Sequence, residues 1–160
     1  KNALKITPAA TYAIDDIKIT LTSGTLTSQE IDDVNGTAVG APTVPNTFNI
    51  TVANKTGENH TYGIGSLKAY YVQGIEAYTL AFQKGLTYRF NQSDSSNTNH
   101  PLKIYLDADK KTEYTDGVTI VGTPGEQGAY TQIAVRMDAP SVLYYQCGNH
   151  GYMGAQITVA

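Results

Sequence analysis

Cys147, His150 and Met153 stand at the spacing Cys-x2-His-x2-Met, inside the stretch Tyr145-Gln146-Cys147-Gly148-Asn149-His150-Gly151-Tyr152-Met153-Gly154. A strand that ends near Cys147 and turns tightly can aim a thiolate, an imidazole and a thioether at one point. Gly148, Gly151 and Gly154 are expected to supply the positive φ values that such a loop needs. A second imidazole is available from His100, in Asn99-His100-Pro101-Leu102-Lys103. Strand parity places His100 with Leu102, Ile104 and Leu106, and Cys147 with Leu143 and Tyr145, so both face a common interior. Thiolate and thioether favour Cu(I), and imidazole serves both copper oxidation states. Two His, one Cys and a weak Met therefore make the ligand set of a type 1 copper centre. Zinc would take harder or more numerous thiolate ligands and has little use for Met.

The rest of the composition narrows the choice. Cys147 is the single cysteine, which excludes an internal disulfide and every zinc pattern built on several thiolates. His60, the third histidine, sits in the polar stretch Glu58-Asn59-His60-Thr61 and is expected to be a solvated loop residue. Three histidines cannot build a type 1 centre and also a His-rich second copper centre, so the chain is read as a non-enzyme. Gly63-Ile64-Gly65 and Gly122-Thr123-Pro124-Gly125 lack the rest of a nucleotide-binding motif and read as turns. The acidic pairs Asp15-Asp16, Asp32-Asp33 and Asp107 with Asp109 lack the order of a calcium loop and read as solvated turns.

A net charge of −3 argues against a nucleic-acid partner, which would need a basic stripe to neutralise phosphates. No apolar run approaches the roughly 18 residues of a membrane-spanning helix. The start at Lys1 suggests a mature or excised piece, and the low charged fraction of 16% with the 12 Tyr suggests an exported or particle-surface protein. An extracellular, periplasmic or particle-surface location, on a virion or a cell, is expected.

The elements that must position the four side chains are strands. Apolar residues recur at period two in Ile17-Ile19-Leu21, Phe48-Ile50-Val52, Leu86-Tyr88-Phe90, Leu102-Ile104-Leu106, Ile133-Val135, Leu143-Tyr145 and Ile157-Val159. Each alternation marks a half-buried strand, expected to be antiparallel. Turn chemistry separates them at Lys84-Gly85, Asp116-Gly117, Thr123-Pro124-Gly125 and Ala139-Pro140. The one plausible helix start is Thr27-Ser28-Gln29-Glu30. Eight or more short strands with Gly and Pro punctuation point to an all-β sandwich. The break in pattern at Lys55-Thr56-Gly57-Glu58-Asn59 is expected to divide an N-terminal β-rich segment, 1–56, from the main domain, 57–160.

With these residues in view, the chain resembles the cupredoxin family. The order His100, then Cys147-x2-His150-x2-Met153 in one loop before the final strand, is that family's pattern. The loop spacing is similar to that of the amicyanin-like branch, and the Tyr-rich strand leading into Cys147 resembles plastocyanin. The run Thr87-Tyr88-Arg89-Phe90-Asn91-Gln92 leading to His100-Pro101-Leu102, with Gly128-Ala129-Tyr130-Thr131-Gln132, resembles cupredoxin-like modules of marine phage and bacterial surface proteins. The resemblance implies a Greek-key β-sandwich that binds one copper ion of type 1. His100, Cys147 and His150 would be the equatorial ligands and Met153 the axial one.

The chain departs from the family at Pro101. Many members donate a backbone N–H from that position to the thiolate, and proline has none. A single N–H···S bond from Asn149 is the expected replacement. Two roles remain open. One is single-electron transfer to a redox partner protein, docking around His150. The other is a structural or binding module of a virion or cell-surface assembly, in which copper is structural or absent. In that reading the segment 1–56 pairs with neighbouring subunits, and a homo-oligomer becomes possible.

Overall fold

The computed structural model describes residues 46–57 and 65–160. The expected strand at 17–21, the helix start at 27–30 and the loop holding His60 lie outside the described residues. The chain divides into two compact units, Lys1–Pro42 and Thr43–Ala160, and all the described residues belong to the second.

That unit is an all-β sandwich. The strands among the described residues are β1 (Asn46–Asn54), β2 (Lys68–Val72), β3 (Ile75–Glu76), β4 (Leu80–Phe82), β5 (Thr87–Asn91), β6 (Leu102–Tyr105), β7 (Val118–Val121), β8 (Tyr130–Ala134), β9 (Val142–Cys147) and β10 (Ala155–Val159). A single turn of 3-10 helix, Ser95–Asn97, follows β5. One sheet has six strands in the order β3-β2-β1-β5-β8-β7, and the other has four in the order β4-β10-β9-β6. The alternating residues of β1, β5, β8, β9 and β10 turn inward, as their period of two requires, and Ile50, Phe90, Ile133, Leu143, Tyr145 and Ile157 are almost fully buried. Burying each such side chain stabilises the fold by about 1.5–3 kcal/mol. Phe82 and Tyr88 stack face to face between the sheets, with ring centroids 3.7 Å apart.

Two expectations need correction. The sheets are mixed rather than antiparallel: β1 runs parallel to β5, and β4 parallel to β10. The chain crosses between sheets from β3 to β4, β4 to β5, β5 to β6, β6 to β7 and β8 to β9, and such crossings let non-consecutive strands meet in parallel. The second concerns the division near residue 57. β1 lies between β2 and β5 in the larger sheet, so 46–54 belongs to the sandwich. The polar break after Asn54 is a connection from β1 to β2 inside the domain, and the division of the chain falls at 42/43. Among the described residues, no helix is long and apolar enough to cross a membrane.

Candidate metal centre

The four side chains come from two segments of the smaller sheet. Cys147 ends β9, and its register partner on β6 is Leu102. His100 precedes Leu102 by two residues, on the same face, and the ladder extends one bond further, from Gly148 N to Pro101 O at 2.7 Å. The first imidazole and the thiol are thereby brought together by strand register. His150 and Met153 follow in the connection to β10.

Nδ1 of His100 lies 3.8 Å from the Cys147 sulfur, and Nδ1 of His150 lies 3.5 Å from it. The three donor atoms all fall within 4.8 Å of one another. A first-row ion with bonds of about 2.0 Å to nitrogen and 2.3 Å to sulfur, the lengths zinc takes, would hold N and S about 3.8 Å apart at trigonal angles. The geometry therefore fits a trigonal N2S metal site. Cys147 and Met153 are fully buried in the hydrophobic core, His100 is half-buried and His150 is exposed. Burial, then the neighbouring His150 and Lys68 charges, hold the His100 imidazole below the usual histidine range, which keeps it neutral and able to ligate.

The segment carrying His100 is an edge, and side chains of the opposite sheet complete it. Gln92 is almost fully buried. Its Nε2 donates to His100 O at 2.8 Å and its Oε1 accepts from Leu102 N at 3.0 Å, so one amide side chain spans Pro101 as a strand partner would. Thr131 donates its hydroxyl to Leu102 O at 2.7 Å. Tyr70, from β2, donates its hydroxyl to His100 O at 2.8 Å. Asn99 takes a positive φ of 63° and offers its carbonyl to the Asn149 side chain at 2.9 Å, tying the two ligand-bearing segments together.

The Cys-to-Met loop is held as firmly. Gln146 Oε1 accepts from both Met153 N and Gly154 N at 2.9 Å. Tyr70 N donates to Met153 O at 2.7 Å, and Ser66 N to Gly151 O at 3.0 Å, so β2 and the turn before it continue their hydrogen bonding onto the loop. Lys110 Nζ donates to the carbonyls of Cys147 and Gly148, each at 3.0 Å.

The loop glycines act differently from expectation. Gly148, Gly151 and Gly154 are not among the positive-φ residues; within the loop it is Tyr152 that takes that conformation, at φ 56°. Gly154 is required for close approach instead, since a Cβ there would meet Tyr145 O at 1.8 Å, whereas one on Gly151 would meet nothing within 4 Å. Leu106, expected on the core face with His100, lies beyond the end of β6 and is 42% exposed.

The expected lone N–H···S bond from Asn149 is also revised. Among the described residues the groups found at the sulfur are the two imidazoles, and the Asn149 side chain donates instead to Asn99 O at 2.9 Å. Gln92, Tyr70, Lys110 and Gln146 all escape a reading of the sequence alone. Of these, only the polar Gln92 at the end of an apolar strand carries a sequence signal.

No family model and no curated protein matches the chain. Among solved structures it is similar to rusticyanin from Thiobacillus ferrooxidans, at 16% identity over 72% of this chain and 78% of that one, with a TM-score of 0.36. A second structure of the copper protein rusticyanin matches with the same values, and reduced rusticyanin at 16% identity, 72% and 80% coverage and a TM-score of 0.33. At that level the likeness assigns no role to any residue. The fold is cupredoxin-like in its own right: a two-sheet mixed sandwich, with one imidazole at the entry to β6 and the thiol, second imidazole and thioether between the last two strands.

Proposed function

We propose that His100, Cys147, His150 and Met153 bind one copper ion as a type 1 centre, and that the protein transfers single electrons. The observation that carries this reading is the trigonal spacing of one sulfur and two Nδ1 atoms. A buried thiol with two imidazoles and a buried thioether is a soft, asymmetric donor set suited to copper. Copper bound there would supply a reversible one-electron couple. The chain's own part is rigidity: the Gln92, Gln146, Tyr70 and Lys110 bonds hold the donors in one arrangement, so that little has to move when the charge changes.

Exposed His150, rimmed by Pro101, Gly148, Asn149 and Tyr152, would be the route by which an electron leaves. That rim is small, with the Lys110 ammonium on the Gly148 carbonyl as its charge, and suits a weak, rapidly dissociating redox partner protein. An extracellular, periplasmic or particle-surface setting agrees with a site that takes exchangeable copper.

Voltammetry of the copper-loaded protein tests the reading. One reversible one-electron wave per molecule is expected, lost in Cys147→Ser. An irreversible wave, or one unaffected by that substitution, would contradict it.

The separate unit Lys1–Pro42 favours a second reading, because a simple electron carrier has no need of it. In that reading the sandwich is a scaffold in a virion or cell-surface assembly, copper is structural or absent, and neighbouring subunits are the partners. Sedimentation of the full chain separates the two: a monomer supports the carrier, and a homo-oligomer that dissociates when 1–42 is removed supports the assembly module.

A further inference from the structure

Arg89 lies on the outer face of the six-stranded sheet, because Tyr88 and Phe90 on either side of it turn into the core. Its register partner on β8 is Gln132, and Tyr130 is its diagonal neighbour. Gln132 Oε1 accepts from Arg89 Nε at 3.0 Å and from Nη2 at 2.7 Å. The guanidinium carbon stands 4.0 Å from the centre of the Tyr130 ring. A neutral amide and an aromatic ring thus fix the group in one pose, and its freedom is lost on folding rather than on binding.

Nothing nearby answers its charge. The ion pairs among the described residues are Lys103–Glu113, Lys111–Asp109 and Arg136–Asp138, and none includes Arg89. Arg89 is the one charged residue in β1, β5, β7 and β8. Of the five guanidinium N–H groups, Gln132 holds two, and the remaining ones on Nη1 and Nη2 form a fork that fits the two oxygens of a carboxylate. Arg89 pins the oxygen of Gln132, so the Gln132 Nε2 is left as a further donor. Asn49 is oriented likewise, since its Oδ1 accepts from Asn91 Nδ2 at 3.0 Å. Thr119 extends the row beyond Gln132, and four strands spaced at about 4.8 Å make a flat polar face about 14 Å wide.

The chemistry of that face selects its ligand. A peptide adds to a sheet through backbone groups at an edge, whereas β5 and β8 are interior strands whose backbone groups are already paired. A nucleic acid or an anionic membrane needs many cations, and this face has one. Amides and hydroxyls around a single guanidinium suit a flat, hydroxyl-rich chain that carries carboxylates. We propose that Arg89, Gln132, Tyr130 and Asn49 form a binding site for an acidic polysaccharide, with a uronic acid carboxylate on the open fork of Arg89 and sugar hydroxyls on the Gln132 and Asn49 amides. The site is built on the larger sheet and needs no copper.

The test is calorimetric titration of the full chain with hexagalacturonate, with the neutral galactose hexasaccharide and with hexaglutamate. The wild type is expected to bind hexagalacturonate more tightly than either of the others. Arg89→Gln is expected to weaken that binding by about tenfold or more, the loss of a charge-assisted fork. Gln132→Glu keeps the hydrogen bonds to the guanidinium but neutralises it, so this variant is expected to stay folded and to lose binding as far. Arg136→Gln removes an equal charge from the connection between β8 and β9, where Arg136 pairs with Asp138, and is expected to bind like the wild type. Absence of hexagalacturonate binding in the folded wild-type chain would overturn the proposal. So would equal or tighter binding of the neutral sugar or of hexaglutamate, undiminished binding in a folded Gln132→Glu, or an equal loss in Arg136→Gln.

Discussion

Replacing Gln92 by Met keeps the volume and flexibility of the side chain while deleting an amide that makes three buried contacts. Oε1 is the acceptor for Leu102 N, and Nε2 donates to His100 O and to Asn97 Oδ1. The carbonyl of His100 keeps the Tyr70 hydroxyl, so its loss is softened. The N–H of Leu102 faces away from β9 into a fully buried setting, and stranding it costs about 1–3 kcal/mol. The lost bonds to His100 O and Asn97 Oδ1 add about 0.5–1.5 kcal/mol between them once Tyr70 is counted. Gln92→Met should therefore destabilise the sandwich by about 1.5–4.5 kcal/mol. Cys147 offers a clean assay, because a single, fully buried thiol becomes reactive only when the sandwich opens. Pulsed thiol labelling across a urea series should show a lower midpoint at an unchanged slope. A loss below about 0.5 kcal/mol would refute the argument that this amide completes the edge of β6.

The same geometry sets the outcome of other substitutions. Gly154→Ala forces a Cβ onto Tyr145 O, so its cost should reach or exceed the top of the usual overpacking range of about 1–3 kcal/mol, while Gly151→Ala, in open space, should stay within about 0.5 kcal/mol; the same labelling series separates them. Lys110→Met removes a charged donor from the Cys147 and Gly148 carbonyls and should cost about 1–2 kcal/mol, with faster hydrogen exchange at the Gly148 amide. Copper at a free concentration a hundred times its Kd should stabilise the wild type by about 2.7 kcal/mol, and a chelator should reverse the rise in Tm; Cys147→Ser should show no comparable rise.

Much of the fold is legible in the chain because inward and outward residues alternate cleanly in β1, β5, β8 and β10. β2 is hidden because Ala69 and Tyr70 are both buried, the second by its place beneath the ligand loop, so no period of two survives. β7 carries Val118, Ile120 and Val121, yet it lies at a sheet edge with Ile120 and Val121 exposed, and its pattern marks no inner face. The parallel pairing of β1 with β5 leaves no local trace, since register between distant strands is set by packing.

At the site, residue type and spacing suffice to single out His100, Cys147 and His150, whose donor atoms the fold gathers, because two of them share one loop. Some of their supports come from distant residues, 30 positions away for Tyr70 on His100 and 37 for Lys110 on Cys147, and no spacing rule reaches that far. The glycine pattern is visible in the chain, but its cause at Gly154 is the approach of Tyr145 O, which only the folded protein displays.

Whether one thiolate and two imidazoles hold copper here is tested most directly by titrating the purified full chain with Cu(II) while recording the visible spectrum. An intense blue absorption that saturates at one equivalent and is absent from Cys147→Ser is expected. Copper uptake with no such band in the folded wild-type protein, or a band that persists in Cys147→Ser, would contradict the assignment.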